Sequence, residues 1–131
     1  MLKLLIALVA LATASAAAPL TGNAEIDAWL ATTNATMTYI GSTTFNPLNT
    51  QVIYCNRRAN NVCGGACSYY NGGATCLDAP STQCLWASNN VAFCDRGGCT
   101  HSCNQFSSCG TRLDGGFCYT PGTRSILVGT A

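Results

Sequence analysis

The feature that most constrains this chain is a set of ten cysteines, all confined to one stretch of about half the sequence. They make up about 9% of the residues that follow a predicted leader, a density typical of secreted disulfide scaffolds. An even number in an oxidising compartment favours five bridges over zinc sites or free thiols. The spacing leaves the pairing open, because ten cysteines allow about 945 pairings. The predicted disulfide cysteines are Cys55, Cys63, Cys67, Cys76, Cys84, Cys94, Cys99, Cys103, Cys109 and Cys118.

The N-terminus predicts secretion. Residues 1–16 run from a positively charged start at Lys3 through an apolar stretch to small residues, with Ala14 and Ala16 forming a signal-peptidase site. The apolar run is far shorter than the roughly 20 residues that a membrane-spanning helix needs. We therefore expect residues 1–16 to be a signal peptide and residues 17–131 to form one extracellular, disulfide-stabilised domain.

The mature chain is predicted to be electrically neutral. Lys3 is the only lysine, and the five remaining arginines balance five acidic residues. A chain without a basic excess lacks the electrostatic footprint of a nucleic-acid binder or of a cationic membrane-lytic peptide. The expected partner is therefore a cell-surface or cell-wall component, a glycan being one candidate, and neither a nucleic acid nor a membrane span is expected.

The cysteine spacing indicates an internal duplication with a period of about 39 residues. Residues 52–90 and 91–131 each open with a valine, place an aromatic before the first cysteine, and follow that cysteine with Asn or Asp and then Arg. Each continues to a Cys-x-x-x-Cys pair and two further cysteines. Because five cysteines per copy is an odd number, an odd number of bridges must join the copies into one domain. A chance alignment of cysteines is the alternative.

The local pattern predicts an α+β fold, a small disulfide-rich domain in which short helices lie on an antiparallel sheet. The pairs Cys63/Cys67 and Cys99/Cys103 are expected on short helices, because residues at i and i+4 share a helical face. β-Branched and aromatic residues predict the strands. The expected strands are Val52–Cys55 and Val91–Cys94, and the expected hairpins join Gln83–Trp86 to Val91–Cys94 and Phe117–Tyr119 to Ser125–Val128.

The cysteine-free segment 19–51 is expected to belong to the same domain, with a removable pro-segment as the alternative. Asn23 is predicted to cap a helix over residues 24–31, and a strand is predicted over residues 36–40. Asn34 begins an Asn-x-Thr sequon and is the predicted glycosylation site.

No catalytic arrangement stands out, and we expect no enzyme, no cofactor and no metal. A nucleophilic triad needs a base poised by a carboxylate, and no local pattern supplies this around His101, the only histidine. One histidine with bridged cysteines also falls short of a metal site. Asp95 and Asp114 are the best candidates for the carboxylate pair of a hydrolase. An ion pair or cap for Asp95 and a turn for Asp114 are the alternatives.

Aromatic residues beside amides indicate a binding role. Tyr69, Tyr70 and Asn71 follow the first Cys-x-x-x-Cys pair, and Asn104 and Phe106 follow the second. This combination suits a sugar, because ring faces stack on sugar C–H groups while amides bond to hydroxyls. The alternative is that these aromatics complete a small core under the disulfides.

One segment resembles the chitin-binding stretch of hevein-type domains. Residues 103–110 and a later Phe-Cys follow that family's order of cysteine, polar residue, aromatic, Cys-Gly, and an aromatic before another cysteine. The resemblance implies that Phe106 and Phe117 stack on the sugar and that Asn104 occupies the family's serine position. Ser108 replaces the second stacking aromatic, and the family's adjacent cysteines are missing.

Over the whole chain, the organisation resembles small cysteine-rich secreted proteins of fungi, several of which are killer-toxin-like or lectin-like α/β sandwiches. The leader, the cysteine-free segment, the even cysteine set and the strand–helix order carry this resemblance. The leading prediction is a secreted, non-enzymatic binding protein, an effector or toxin-like factor acting at another cell's surface. A lectin for chitin-like or other glycans is the alternative, and a small enzyme acting on wall polymers ranks third.

Overall fold

The computed structural model describes residues 21–129, so the predicted signal peptide lies outside the described residues. Within them the chain forms one α-helix, seven strands and two short 3₁₀ turns. The elements are α1 (Ala24–Thr32), β1 (Thr36–Gly41), β2 (Thr50–Ala59), β3 (Val62–Gly72), β4 (Thr75–Ala87), β5 (Ala92–Arg96), β6 (Thr100–Gln105), the 3₁₀ turns Phe106–Ser108 and Asp114–Gly116, and β7 (Cys118–Val128).

All seven strands belong to one sheet, in the order β1-β3-β2-β4-β7-β5-β6. β1 runs parallel to β3, and every other neighbouring pair is antiparallel. A small disulfide-rich domain is thus confirmed, with more sheet and fewer helices than the predicted α+β arrangement.

The predicted helices at the Cys-x-x-x-Cys pairs are wrong. Cys63 and Cys67 both lie in β3, while Cys103 lies in β6 and Cys99 immediately precedes that strand. Residues at i and i+4 share a face in a strand as well as in a helix, because strand side chains alternate with a period of two. The spacing therefore fits both structures, and pairing with neighbouring strands selects the extended one.

The predicted hairpins are also wrong, although their strands form. β4 and β5 do not pair with each other, because β7 lies between them. The segments on either side of Pro121-Gly122 belong to the single strand β7 rather than to two strands. Its ladder with β4 shifts register on both sides of Thr82, so a bend replaces the expected turn. Bulges of this kind tolerate proline and bend long strands.

The helix predicted over residues 24–31 and the strand predicted over residues 36–40 are confirmed by α1 and β1. Asn23 caps the helix, since its side-chain oxygen accepts hydrogen bonds from the backbone N–H groups of Glu25 and Ile26, each with a donor–acceptor distance of 3.0 Å. Ile26 is fully buried, and the Trp29 ring packs against a buried phenylalanine with 4.8 Å between centroids. The helix thereby packs its apolar side chains against the hydrophobic core.

Five disulfides form, as the even cysteine count predicts, and no cysteine is free. One of them, Cys76–Cys99, joins residues 52–90 to residues 91–131, which is the odd number that five cysteines in each half require. The others stay within one half. They are Cys55–Cys67, Cys63–Cys84, Cys94–Cys103 and Cys109–Cys118.

The β2–β3 and β5–β6 hairpins share a local design. In each, a disulfide joins two directly opposed cysteines, and the ladder then shifts register. At the shift in the β2–β3 hairpin, Asn56 Oδ1 accepts a hydrogen bond from the Ala66 N–H at a distance of 2.9 Å. At the shift in the β5–β6 hairpin, Asp95 Oδ1 accepts one from the Ser102 N–H at a distance of 3.2 Å. The likeness covers the hairpins alone, and the duplication of the whole segment stays a prediction.

Candidate binding surface at the edge of the sheet

The aromatic rings that the sequence suggested for sugar stacking lie in the core. Phe117 and Tyr69 are 0% and 1% exposed, and Phe106 and Tyr70 are 8% and 9% exposed. Rings this buried offer no face to a ligand, which favours the alternative that they complete the core under the disulfides. Asn104 is exposed on β6, and its neighbours in the predicted site do not form a surface around it.

Asn71, the remaining residue of that predicted site, organises the loop that joins β1 to β2. Its side chain is 1% exposed. Its Nδ2 donates hydrogen bonds to the carbonyl oxygens of Ser42 and Thr44, each with a donor–acceptor distance of 3.0 Å. Its Oδ1 accepts a hydrogen bond from Gln51 Nε2 over 2.9 Å. Gly41 precedes the loop with φ +91°, and a Cβ there would lie 2.4 Å from the Asn71 carbonyl oxygen. Only glycine fits this junction.

The loop, residues 42–49, ends in a tight turn. Asn46 Oδ1 accepts a hydrogen bond from the Leu48 N–H, and the Asn46 carbonyl accepts one from the Asn49 N–H, each with a donor–acceptor distance of 2.9 Å. This combination of an Asx turn and a β-turn is typical of Asn at the first position. Leu48 projects from the turn with 90% of its surface exposed. A large apolar side chain is thus held in solvent by a hydrogen-bonded backbone.

Exposed apolar residues concentrate around this loop. Among residues 21–129, five large apolar side chains are well exposed, and four of them fall within residues 39–48. We call these four the uncharged edge surface, because the whole segment 28–56 contains no Asp, Glu, Lys, Arg or His. Its members and their exposed fractions are Tyr39 (45%), Ile40 (39%), Phe45 (40%) and Leu48 (90%).

Two aromatic rings of this surface lie on the helix side of the sheet. Tyr39 stacks on Tyr69 with 5.5 Å between ring centroids and 21° between planes. Burial raises the pKa of Tyr69 to about 12, with further contributions from the nearby charges of Asp27 in α1 and of Tyr39. Phe45 lies beside Gly22, just before α1, where a Cβ would be 3.4 Å from its ring. The Tyr39 and Phe45 rings thus each contact the protein on one side, and each remains well exposed to solvent.

The two candidate carboxylates of a hydrolase have separate surroundings. Asp95 Oδ1 lies 2.9 Å from His101 Nδ1, and both side chains are about half exposed. The hydrogen bond with His101 is the main cause that lowers the pKa of Asp95, and the Ser102 N–H adds to it. Asp114 lies in a 3₁₀ turn, where its N–H donates to the Asn61 carbonyl. Asp95 therefore pairs with an imidazole rather than with a second carboxylate.

The predicted glycosylation site is accessible. Asn34 is exposed between α1 and β1, at the rim of a surface hollow of about 340 Å³. Attachment of a glycan there stays a prediction. The other residues that line the hollow are Thr33, Arg57, Ala59, Val62, Cys63, Gly64 and Gly65.

In the described part of the chain, no group of three or more His, Cys, Asp or Glu side chains is placed to hold a metal ion. None of the helices found between residues 21 and 129 is long and apolar enough to cross a membrane. Comparison of the chain with family models, curated proteins and solved structures finds no match. The fungal and hevein-type resemblances therefore stay predictions.

The uncharged edge surface was not predicted from the sequence, because the predicted binding residues all lie near the cysteines, which span residues 55–118. Two signals could have found it. One is the run of 29 residues, 28–56, without an Asp, Glu, Lys, Arg or His. The other is the Asn-Pro-Leu-Asn turn at residues 46–49, which places an apolar residue at a position that turns usually reserve for polar or glycine residues.

Proposed function

We propose that this chain is a secreted, non-enzymatic binding protein, an effector or toxin-like factor that engages a component of another cell's surface through the loop of residues 42–49. A single observation carries the proposal. Leu48 is 90% exposed at the tip of a loop whose start is held by the buried amide of Asn71. A loop ordered before binding loses less conformational entropy on binding, and this raises affinity.

The cost of this arrangement supports a binding role. Burying the amides of Asn71 and Gln51 is unfavourable unless their polar atoms are hydrogen-bonded. Here the bonds are made to each other and to the backbone of the loop. A simple connection between β1 and β2 needs neither buried amides nor an apolar tip. The hydrogen bonds of Asn71 and Gln51 therefore stabilise the loop on which the exposed Leu48 side chain lies.

The composition of the loop defines the chemistry of the partner. With no charge in residues 28–56, recognition depends on burial of apolar surface and on neutral hydrogen bonds. Fully burying a leucine side chain contributes about 1.5–3 kcal/mol. The partner is expected to offer an apolar pocket that accepts Leu48, with Phe45 against its rim.

A lectin is the second candidate, supported by rings other than those predicted from sequence. Phe45 and Tyr39 are 40% and 45% exposed, and the loop beside Phe45 contains the amides of Asn46 and Asn49. Exposed rings with neighbouring amides suit the apolar faces and hydroxyl groups of a neutral sugar. Both candidates use the same surface, and the partner distinguishes them.

The test uses oxidised mature protein, fluorescently labelled and titrated onto panels of intact fungal, plant and animal cells and onto a glycan array. The variants are Leu48→Ser and Phe45→Ser, and the matched control is Val62→Ser. Val62 is also an exposed apolar residue, at 50%, and it lies at the start of β3, outside the loop. We expect Leu48→Ser to weaken cell binding by about tenfold or more, given the burial energy of a leucine. Val62→Ser should bind like the parent protein.

Competition with free sugars separates the two candidates. Binding that a simple glycan abolishes would favour the lectin, and binding that resists all sugars would favour a protein or lipid partner. Equal loss of binding in Leu48→Ser and Val62→Ser, or no loss in either, would contradict a role for the loop.

A further inference from the structure

The two edges of the sheet differ in how they meet solvent. β1 and β6 are the first and last strands of the order, so each has one side without a neighbouring strand in the described chain. Such a side presents backbone N–H and C=O groups that another strand can pair with. Natural proteins blunt these edges with charge, proline, bulges or irregular backbone.

β6 carries several of these protections. The residue before it, Cys99, and its second residue, His101, have positive φ values of 58° and 74°. Its ladder with β5 shifts register between Cys94 and Arg96. The Asp95–His101 pair adds ionisable groups to the same hairpin. Irregular backbone and ionisable groups both oppose the addition of a further strand at this edge.

β1 carries only one of them, at its last residue, since Gly41 has a positive φ of 91°. Its six residues pair with β3 in an unbroken parallel register from Thr36 to Gly41. The strand contains no charged residue and no proline, and the nearest charged residues in sequence are Asp27 and Arg57. Five of its six residues are exposed, including Tyr39 and Ile40. From Thr36 to Ile40, β1 is therefore a regular edge of high β-propensity that is open to pairing.

We propose that β1 pairs antiparallel with β1 of a second copy of this chain, which extends the sheet across a two-fold axis centred on Thr38. The absence of charge favours a second copy as the occupant. In a two-fold interface each residue meets residues of the same segment, so a charged edge would repel itself and this one does not.

The side chains suit this register. In an antiparallel pair, opposed residues share a face of the sheet, so a two-fold axis must pass through a residue position. With the axis at Thr38, the opposed pairs are Thr38 with Thr38, Met37 with Tyr39, and Thr36 with Ile40. Threonine pairs and pairs of aromatic, apolar or β-branched residues are those that stabilise neighbouring strands.

The dimer would divide the uncharged edge surface into two parts. Pairing covers the side chains on β1, Tyr39 and Ile40, and leaves Phe45 and Leu48 on the following loop. Antiparallel pairing places the two loops at opposite ends of the joined strands. If the loop binds as proposed, the dimer presents two binding loops and gains affinity from simultaneous engagement, a consequence that rests on the proposed function.

Sedimentation velocity of the oxidised mature protein over a range of concentrations tests the dimer, with a charge swap at the axis. Thr38 is exposed, so Thr38→Lys and Thr38→Glu should leave the monomer folded. Each alone brings two like charges together, and we expect it to weaken dimerisation by about tenfold or more, equivalent to roughly 1.4 kcal/mol. Mixing the two variants should restore the dimer. The matched control, Asn104→Lys on β6, should dimerise like the parent protein.

Each outcome has a definite meaning. Restoration by mixing, together with slower amide exchange in β1 at high concentration, would establish the β1 interface. A parent protein that is monomeric at every concentration would overturn the proposal and leave the edge to a strand of a different protein. A dimer that Thr38→Lys does not weaken would overturn it as well. Leu48→Ser should dimerise normally, so this test and the cell-binding test can fail independently.

Discussion

Gln51 and Asn71 face each other across the β2–β3 ladder and join their buried side-chain amides by a hydrogen bond from Gln51 Nε2 to Asn71 Oδ1, over 2.9 Å. The two side chains are 2% and 1% exposed. From there the Asn71 Nδ2 reaches the carbonyl oxygens of Ser42 and Thr44. The interior of the sheet is thereby connected to the exposed loop that carries Leu48, and this connection supports the proposed binding role.

Replacing Asn71 should loosen the loop and destabilise the fold. Asn71→Ala removes both donors to the loop and leaves the buried Gln51 amide without its acceptor. Because an unsatisfied buried polar group costs about 1–3 kcal/mol, we expect the free energy of unfolding to fall by about that amount. Hydrogen exchange should become faster at residues 42–49. Asn104→Ala is the control, since Asn104 is exposed, and a loop with unchanged exchange rates in Asn71→Ala would contradict the role of Asn71.

Truncating a buried aromatic should lower stability rather than affect a binding site directly. Phe117 is fully buried and packs on Trp29, so Phe117→Ala should lower the free energy of unfolding by about 3–5 kcal/mol. Tyr39→Ala should cost much less, about 0.5–1.5 kcal/mol, because its ring is nearly half exposed and loses mainly its stacking on Tyr69. Denaturant unfolding under non-reducing conditions measures both. Similar losses for the two variants would show that Phe117 does not belong to the core.

The bridge between Cys76 and Cys99 should contribute measurably to stability. It closes a segment with a sequence separation of 23, and restricting an unfolded chain over this length stabilises the fold by about 3 kcal/mol. We expect the double variant Cys76→Ser, Cys99→Ser to lose about that amount in denaturant unfolding. Peptide mapping should confirm that the other four bridges are intact. An unchanged unfolding curve would mean that those four already restrict the same part of the unfolded chain.

The Asp95–His101 pair predicts a specific pH dependence. The pKa of Asp95 is lowered from its ordinary value of 3.8, mainly by the hydrogen bond with His101. A carboxyl whose pKa is depressed by folding stabilises the folded state above its unfolded pKa, and this contribution is lost as the pH falls through the folded pKa. His101→Ala should therefore raise the pKa of Asp95 toward 3.8, with a remaining depression from the Ser102 N–H. Carbon-13 NMR titration of the Asp95 carboxyl measures this, and Asn104→Ala should leave it unchanged. A pKa that does not rise in His101→Ala would show that the pair does not form in solution.

Several elements could be predicted from sequence because short-range interactions determine them. Asn23 caps α1 through bonds to residues two and three positions away. The β-branched and aromatic residues near Cys55 and Cys94 favour strands wherever those strands end up. The even number of cysteines in a sequence with a predicted leader indicated complete pairing, which follows from a count and from redox chemistry rather than from geometry.

The sequence by itself thus determined that the segments around Cys55 and Cys94 are extended, that Asn23 caps the helix over Ala24–Thr32, and that the cysteines pair. Only the tertiary structure decided which strands are neighbours, and therefore which side chains are buried. β7 lies between β4 and β5, and Asn71 bonds to carbonyl groups 27 and 29 residues away. Such contacts depend on the arrangement of distant segments, which no local pattern encodes. Tyr70 and Phe106 illustrate the physical reason, because an aromatic side chain taken alone suits a hydrophobic core as well as a sugar site. Both are buried because distant strands of the sheet pack around them.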